Sequence, residues 1–207
     1  MKAFFVKYRR LLLLIVLFFI YILYSTAVNS IPADTSFFST KTLLDSNMPF
    51  LDFTVYGYIL WIILFALSLL YLFSSLGDGY YRLITSLSLS VIICIIIYIN
   101  FPVKMDIPDF GNSVLFNRIL CNAGIASFPN LPACILFNSF FFILFNKKKH
   151  DHSKITTIAV ILGSILLLWV ACAMFSKTAY ILDLSSGLLI GIISSVLISF
   201  IPFKHTH

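Results

Sequence analysis

Apolar residues in this chain come in long unbroken runs, such as "LLLLIVLFFIYILY" and "LLIGIISSVLISFI", and not in stripes with helical or strand spacing. A helix that is hydrophobic on all sides must be buried in protein or in lipid. At 1.5 Å per residue, about 20 such residues cross a hydrocarbon layer of roughly 30 Å. The runs predict six spans, at 11–28, 54–76, 83–101, 131–146, 155–176 and 181–203. The fourth is short and begins behind Pro129 and Pro132, which suit the start of a helix better than its interior. The first also has the basic flank and "STA" tripeptide of a signal peptide. Its long Phe-, Tyr- and Ile-rich stretch reads better as a retained anchor.

Polar interruptions set the orientation. With the N-terminus cytoplasmic, the inner segments hold Lys2, Lys7, Arg9, Arg10, Arg82, Lys147, Lys148, Lys149, Lys154 and Lys204. The outer segments hold Lys41, Lys104, Arg118 and Lys177. That bias obeys the positive-inside rule, and an even number of spans returns the C-terminus to the cytoplasm. The chain is thus expected to be a single all-α integral membrane domain over residues 1–207.

Composition agrees: of 207 residues, 60% are hydrophobic and 11% charged, which a soluble domain of this size could not bury. The net charge of +6 sits mainly in the N-terminal stub and in "NKKKHDHSK". There it suits anionic headgroups of the inner leaflet and gives no reason to expect nucleic acid. "HDH" within that loop reads as a solvated basic turn more readily than as a metal site, so no metal and no cofactor is expected. Cys121 and Cys134 could be bridged in an oxidising compartment or remain free, packed thiols.

Two outer segments are long enough to carry chemistry. In the first, "TSFFSTKTLLDS" could form a helix along the membrane interface. In the second, "NSVLFNRIL" reads as a short amphipathic helix. The third outer connection is only "SKTAY", so the outer ends of the third to sixth spans can converge. That would bring Lys104, Asn130, Lys177 and Asp183 within reach of one another. Ionisable residues at the bilayer edge usually pair or line a wet cavity. Asp183 opens the sixth span, where a first-turn carboxylate also meets the positive end of the helix for purely structural reasons. "SSGLLIG" supplies small residues for close packing of that span, while "FNSFFFILF" looks lipid-facing.

Three patches, "FPVK", "SFPNLPA" and "SKTAYILD", together resemble the motifs of the type 2 phosphatidic acid phosphatase superfamily, over roughly Ile97 to Gly191. The resemblance implies a six-span helical bundle with its site on the outer face. It places Ala179 at the nucleophilic histidine and Asp183 at the carboxylate that orients it. Pro132 stands at the second, proton-donating histidine, with Ala133 the alternative if one residue is inserted. Asn130 stands at a phosphate-donating serine and Ala173 at an arginine. Lys104 and Lys177, with Arg118, remain as phosphate ligands, each lysine a point charge and not a bidentate grip.

Alanine and proline have no lone pair or transferable proton. The four histidines, His150, His152, His205 and His207, all fall on the expected cytoplasmic side. Phosphohistidine chemistry is therefore closed to the chain as it stands. The first expectation is a phosphatase-like protein that binds a phosphorylated lipid headgroup without hydrolysing it, with Asp183 paired to a lysine or turned away. The second is a lipid phosphatase or phosphotransferase, acting on phosphatidate, a polyprenyl diphosphate or a phosphosphingolipid, seen as an inactive histidine-substituted variant. The third is a non-catalytic subunit that works through another membrane protein; for it, the outer ends of the spans need not converge.

Overall fold

The computed structural model describes residues 2–32, 35–57, 60, 62–63, 65–66, 79–103, 128–146 and 152–201. Among these residues the structure is all-helical. The helices are α1 (Lys2–Asn29), α2 (Leu43–Asn47), α3 (Gly79–Asn100), α4 (Leu131–Asn146), α5 (His152–Phe175) and α6 (Ile181–Phe200). A further helical stretch opens at Thr54 and is described at 54–57 and at positions up to 66. Most of the predicted second span, and all of "NSVLFNRIL", lie outside the described residues.

Among the described residues three segments, against the six spans expected, are long and apolar enough to cross a membrane: Leu11–Asn29, Gly79–Asn100 and Ile181–Phe200. Two shorter apolar helices, Leu131–Phe145 and Ala159–Phe175, pack with them. The chain is a membrane-embedded helical protein.

At its centre α4 and α6 lie side by side, with α3 against both, α1 on the far side of α3, and α5 against α4. The α4–α6 approach is close because α6 presents Gly187 and Gly191, one turn apart. A Cβ at Gly187 would lie 2.7 Å from the Asn130 carbonyl oxygen, and one at Gly191 would lie 2.8 Å from the Asn138 nitrogen. The small-residue face of "SSGLLIG" is thus a helix-packing face, as its composition suggests.

"FNSFFFILF" departs from expectation, because it is not uniformly lipid-facing. Asn138 and Phe142, one turn apart, are fully buried. Asn138 bonds to α3: its amide donates to the Ser86 carbonyl (3.2 Å) and the Ser90 hydroxyl (2.6 Å), and it accepts from the Ser86 hydroxyl (3.0 Å). Both amide protons and the amide oxygen are satisfied, the condition under which a polar side chain can sit in a low-dielectric interior. A periodicity reading sees a phenylalanine-rich run, whereas the buried face is set by i, i+4 geometry.

Cys134 is a free thiol, fully buried in the core cluster that also contains Cys94. Cys121 lies outside the described residues. Between α1, α3 and α4 an apolar cavity of about 470 Å³ is lined by Leu14, Leu17, Leu87, Val91 and Ile135 among others. It lies at mid-span of α3.

Candidate functional site at the mouth of the bundle

At one end of the bundle the three motif patches come together. Phe101, from the first, meets Phe128 of the second edge to face, with ring centroids 5.9 Å apart. The Asn130 amide donates to the Asp183 carbonyl, 3.2 Å, joining the second patch to the third. Pro132 lies in the first turn of α4. Ahead of it, the Asn130 side-chain oxygen accepts from the Ala133 amide, 2.9 Å. This is an N-cap, which satisfies one of the free N–H groups at a helix start. Asn130 is nearly inaccessible.

The "SKT" of the third patch stops α5. The Thr178 amide donates back to the Ala173 carbonyl and the Lys177 amide to the Met174 carbonyl, a Schellman closure. The Ser176 and Thr178 hydroxyls turn to the same Ala173 carbonyl, at 3.3 and 3.0 Å. Lys177 occupies the left-handed position with φ 53°. For a residue with a Cβ this costs about 1 kcal/mol, offset here by what its side chain reaches.

That reach is to a strap formed by residues 35–51, which lies across the mouth. Phe38 stacks on Phe101 at 4.2 Å, and its amide donates to the Pro102 carbonyl. The Thr40 hydroxyl donates to Asp183 Oδ1, 2.6 Å. Thr42 and Asp45 form a capping box around α2, and Asp45 Oδ1 accepts from the Ile181 amide, 3.0 Å. The Lys177 ammonium donates to the Asp45 carbonyl. Lastly, the Leu51 amide donates to the Phe175 carbonyl. The strap is therefore bonded to the ends of α3, α5 and α6.

Asp183 is completely buried. Its Oδ1 accepts a hydrogen bond from the Thr40 hydroxyl, and its Oδ2 accepts from the Tyr180 amide, 3.1 Å. A carboxylate in the first turn favours the helix dipole and meets an orphan donor. With Asp45 on Ile181, the positive end of α6 is compensated by two of the protein's own carboxylates. Sequence reasoning singled out Asp183 and its first-turn role, but not Thr40 or Asp45. Only the Thr42-x-x-Asp45 spacing, a capping-box signature, could have located α2. The helix is five residues long, and the strap before it is extended, so a helix over all of "TSFFSTKTLLDS" does not form.

Beneath the strap three of the positions carried by the resemblance meet; Pro132, half-buried in the first turn of α4, is not among them. Ala133, Ala173 and Ala179 are buried together in one apolar cluster with Trp169 and Leu184. Where the resemblance would have charged and proton-transferring groups, the molecule has methyl groups under an indole. Lys104 and Arg118 lie outside the described residues. No group of three or more His, Cys, Asp or Glu able to hold a metal occurs among the described residues.

The chain matches no family model, no curated protein and no solved structure. Function must therefore be argued from this mouth alone. Chemically, the described residues of the mouth include no imidazole and no exposed nucleophile beside a base. Its one carboxylate pair caps helices and anchors the strap. Lys177 is half-buried at the rim: an ammonium has three donors, and one is used on Asp45.

Proposed function

We propose that this chain is a multi-pass membrane protein built like the type 2 phosphatidic acid phosphatases, that it does not hydrolyse phosphate, and that it acts as a non-catalytic subunit through contacts in the membrane. One observation carries the reading. Ala179 in the third patch, Ala173 just before it and Ala133, the alternative to Pro132 in the second patch, are positions to which the resemblance gives functional counterparts; they meet in a single buried cluster. Such convergence is expected if the bundle keeps the family's arrangement and has lost its chemistry. The strap supports the same reading, because Thr40 occupies the Asp183 oxygen that an imidazole would need. On this reading the six spans alternate in direction, the mouth faces away from the cytoplasm, and both termini face the cytoplasm. The basic residues of the chain support that sidedness.

A second reading is supported by the two further donors of Lys177: the rim holds the headgroup of a phosphorylated lipid without turnover. One experiment separates these possibilities. The purified chain and an Ala179→His variant are placed in lipid nanodiscs with phosphatidate, a polyprenyl diphosphate or a phosphosphingolipid, and phosphate release and lipid retention are measured. Neither protein is expected to release phosphate, since position 179 is packed and Asp183 is engaged. Release by the parent chain would overturn the proposal, and release by the variant alone would favour an inactivated phosphatase. Selective retention of phosphatidate that is lost in Lys177→Gln would favour the headgroup reading over the subunit reading.

A further inference from the structure

The strap has an outward side that its bonds to the mouth do not explain. Asp45, on α2, faces the bundle and is buried, while its helix neighbours Leu43 and Leu44 are 85% and 63% exposed. Leucines displayed to water at the start of a five-residue helix gain nothing there. Their level is fixed by hydrogen bonds: α2 is tied to Ile181 at the start of α6 and to Lys177 in the turn, and Leu51 is tied to Phe175 at the end of α5. Those residues mark the ends of apolar helices, so α2 lies where hydrocarbon gives way to headgroups. Just after the strap, Phe53 and Tyr56 are also exposed, on the same helical face as the exposed Leu60 and Ile63. Aromatic side chains at that depth are characteristic of a membrane interface. Lys41, exposed and immediately before α2, adds a positive charge suited to anionic headgroups.

We propose that Leu43 and Leu44 seat in the phospholipid leaflet around the mouth, and that this seating holds the strap shut, with Thr40 on Asp183. The occupant is the leaflet itself because the exposed apolar face continues from Phe53 and Tyr56 onto a membrane-facing flank, and because the adjacent charge is positive. The inference does not depend on the phosphatase-like reading; it requires only that the helices are embedded.

The full chain in nanodiscs of phosphatidylcholine and phosphatidylglycerol tests it. For the seat, a Leu44→Trp variant is compared with the parent, and its added emission is quenched with shallow brominated lipid or with aqueous iodide. Quenching by lipid and protection from iodide are expected. Quenching by iodide would overturn the seat, as would protection from both quenchers, which would mean a protein surface covers the residue. For the closure, labelling of an Ala179→Cys variant by a membrane-impermeant maleimide is followed at that peptide by mass spectrometry. Labelling should be slow in this variant and roughly tenfold faster or more when Leu43→Ser and Leu44→Ser are added. Thr40→Ala serves as the opened reference. An unchanged rate in the serine variant, with a faster rate in the Thr40→Ala reference, would overturn the link between seating and closure. The emission measurement stands even if the serine variant folds poorly.

Discussion

Asp183 and Lys177 show how differently two conspicuous residues can be used. Asp183 is sealed off, and its oxygens are taken by Thr40 and the Tyr180 amide. Lys177 keeps an ammonium half-buried at the rim, where burial pushes its pKa below the ordinary lysine value; the Asp45 charge opposes that shift and the Lys41 charge adds to it. With the folded value depressed, the unfolded chain binds more protons between that value and the ordinary one. Stability should therefore rise with pH across this alkaline window and be flat below it, where both states are protonated. Thermal unfolding in detergent at stepped pH should show that rise, and Lys177→Met should flatten it; parallel profiles would show that burial of the ammonium does not act. The role of Asp183 as a first-turn carboxylate is readable from sequence. Its bond to Thr40 is not, because the two residues are 143 positions apart and no local pattern joins them.

Helix packing here depends on small residues and on one satisfied polar knot. Apolar contact drives association weakly among lipid tails, so close backbone approach and interhelical hydrogen bonds must do more. A methyl at Gly191 would lie 2.8 Å from the Asn138 nitrogen and 2.9 Å from the Cys134 carbonyl oxygen. Both are backbone atoms that cannot swing aside. Gly191→Ala should destabilise the bundle by about 1–3 kcal/mol through overpacking, seen as a lower unfolding midpoint in detergent. Leu189→Ala, on the exposed side of the same helix, should stay within about 0.5 kcal/mol. Equal losses in the two variants would argue against the packing described. The small residues of "SSGLLIG" were visible as a packing signal; that α4 would be the partner was not, since composition does not say which helix approaches.

For the whole molecule, the meeting of helix ends constrains topology. The end of α3, the start of α4, the end of α5 and the start of α6 all gather at the mouth, joined by Phe101–Phe128, Asn130–Asp183 and Leu51–Phe175. On the proposed six-span arrangement, successive helices that meet there in alternating polarity run in alternating directions through the bilayer. Epitope tags at the two termini should therefore be protected or exposed together in sealed cells, on the side opposite a tag inserted beside Lys41. Tags on opposite sides would break the proposed six-span arrangement.

By itself the sequence determined that this chain belongs in a membrane and where most of its helices lie, because a hydrocarbon phase selects for length and hydrophobicity, and both are local. It also marked the patches that meet at the mouth and the lack of a histidine in any of them, since residue identity alone decides whether a proton can be carried. The tertiary structure decided what those patches do. Asn130 became a helix cap, the three alanines a buried apolar cluster, and Asp183 the anchor for a strap from the other end of the chain. The last two outcomes depend on contacts between segments distant in sequence, 143 positions apart for Thr40 and Asp183, and all three on which donors lie near an oxygen. Such distances are fixed only when helices pack, and no stretch of sequence carries them alone.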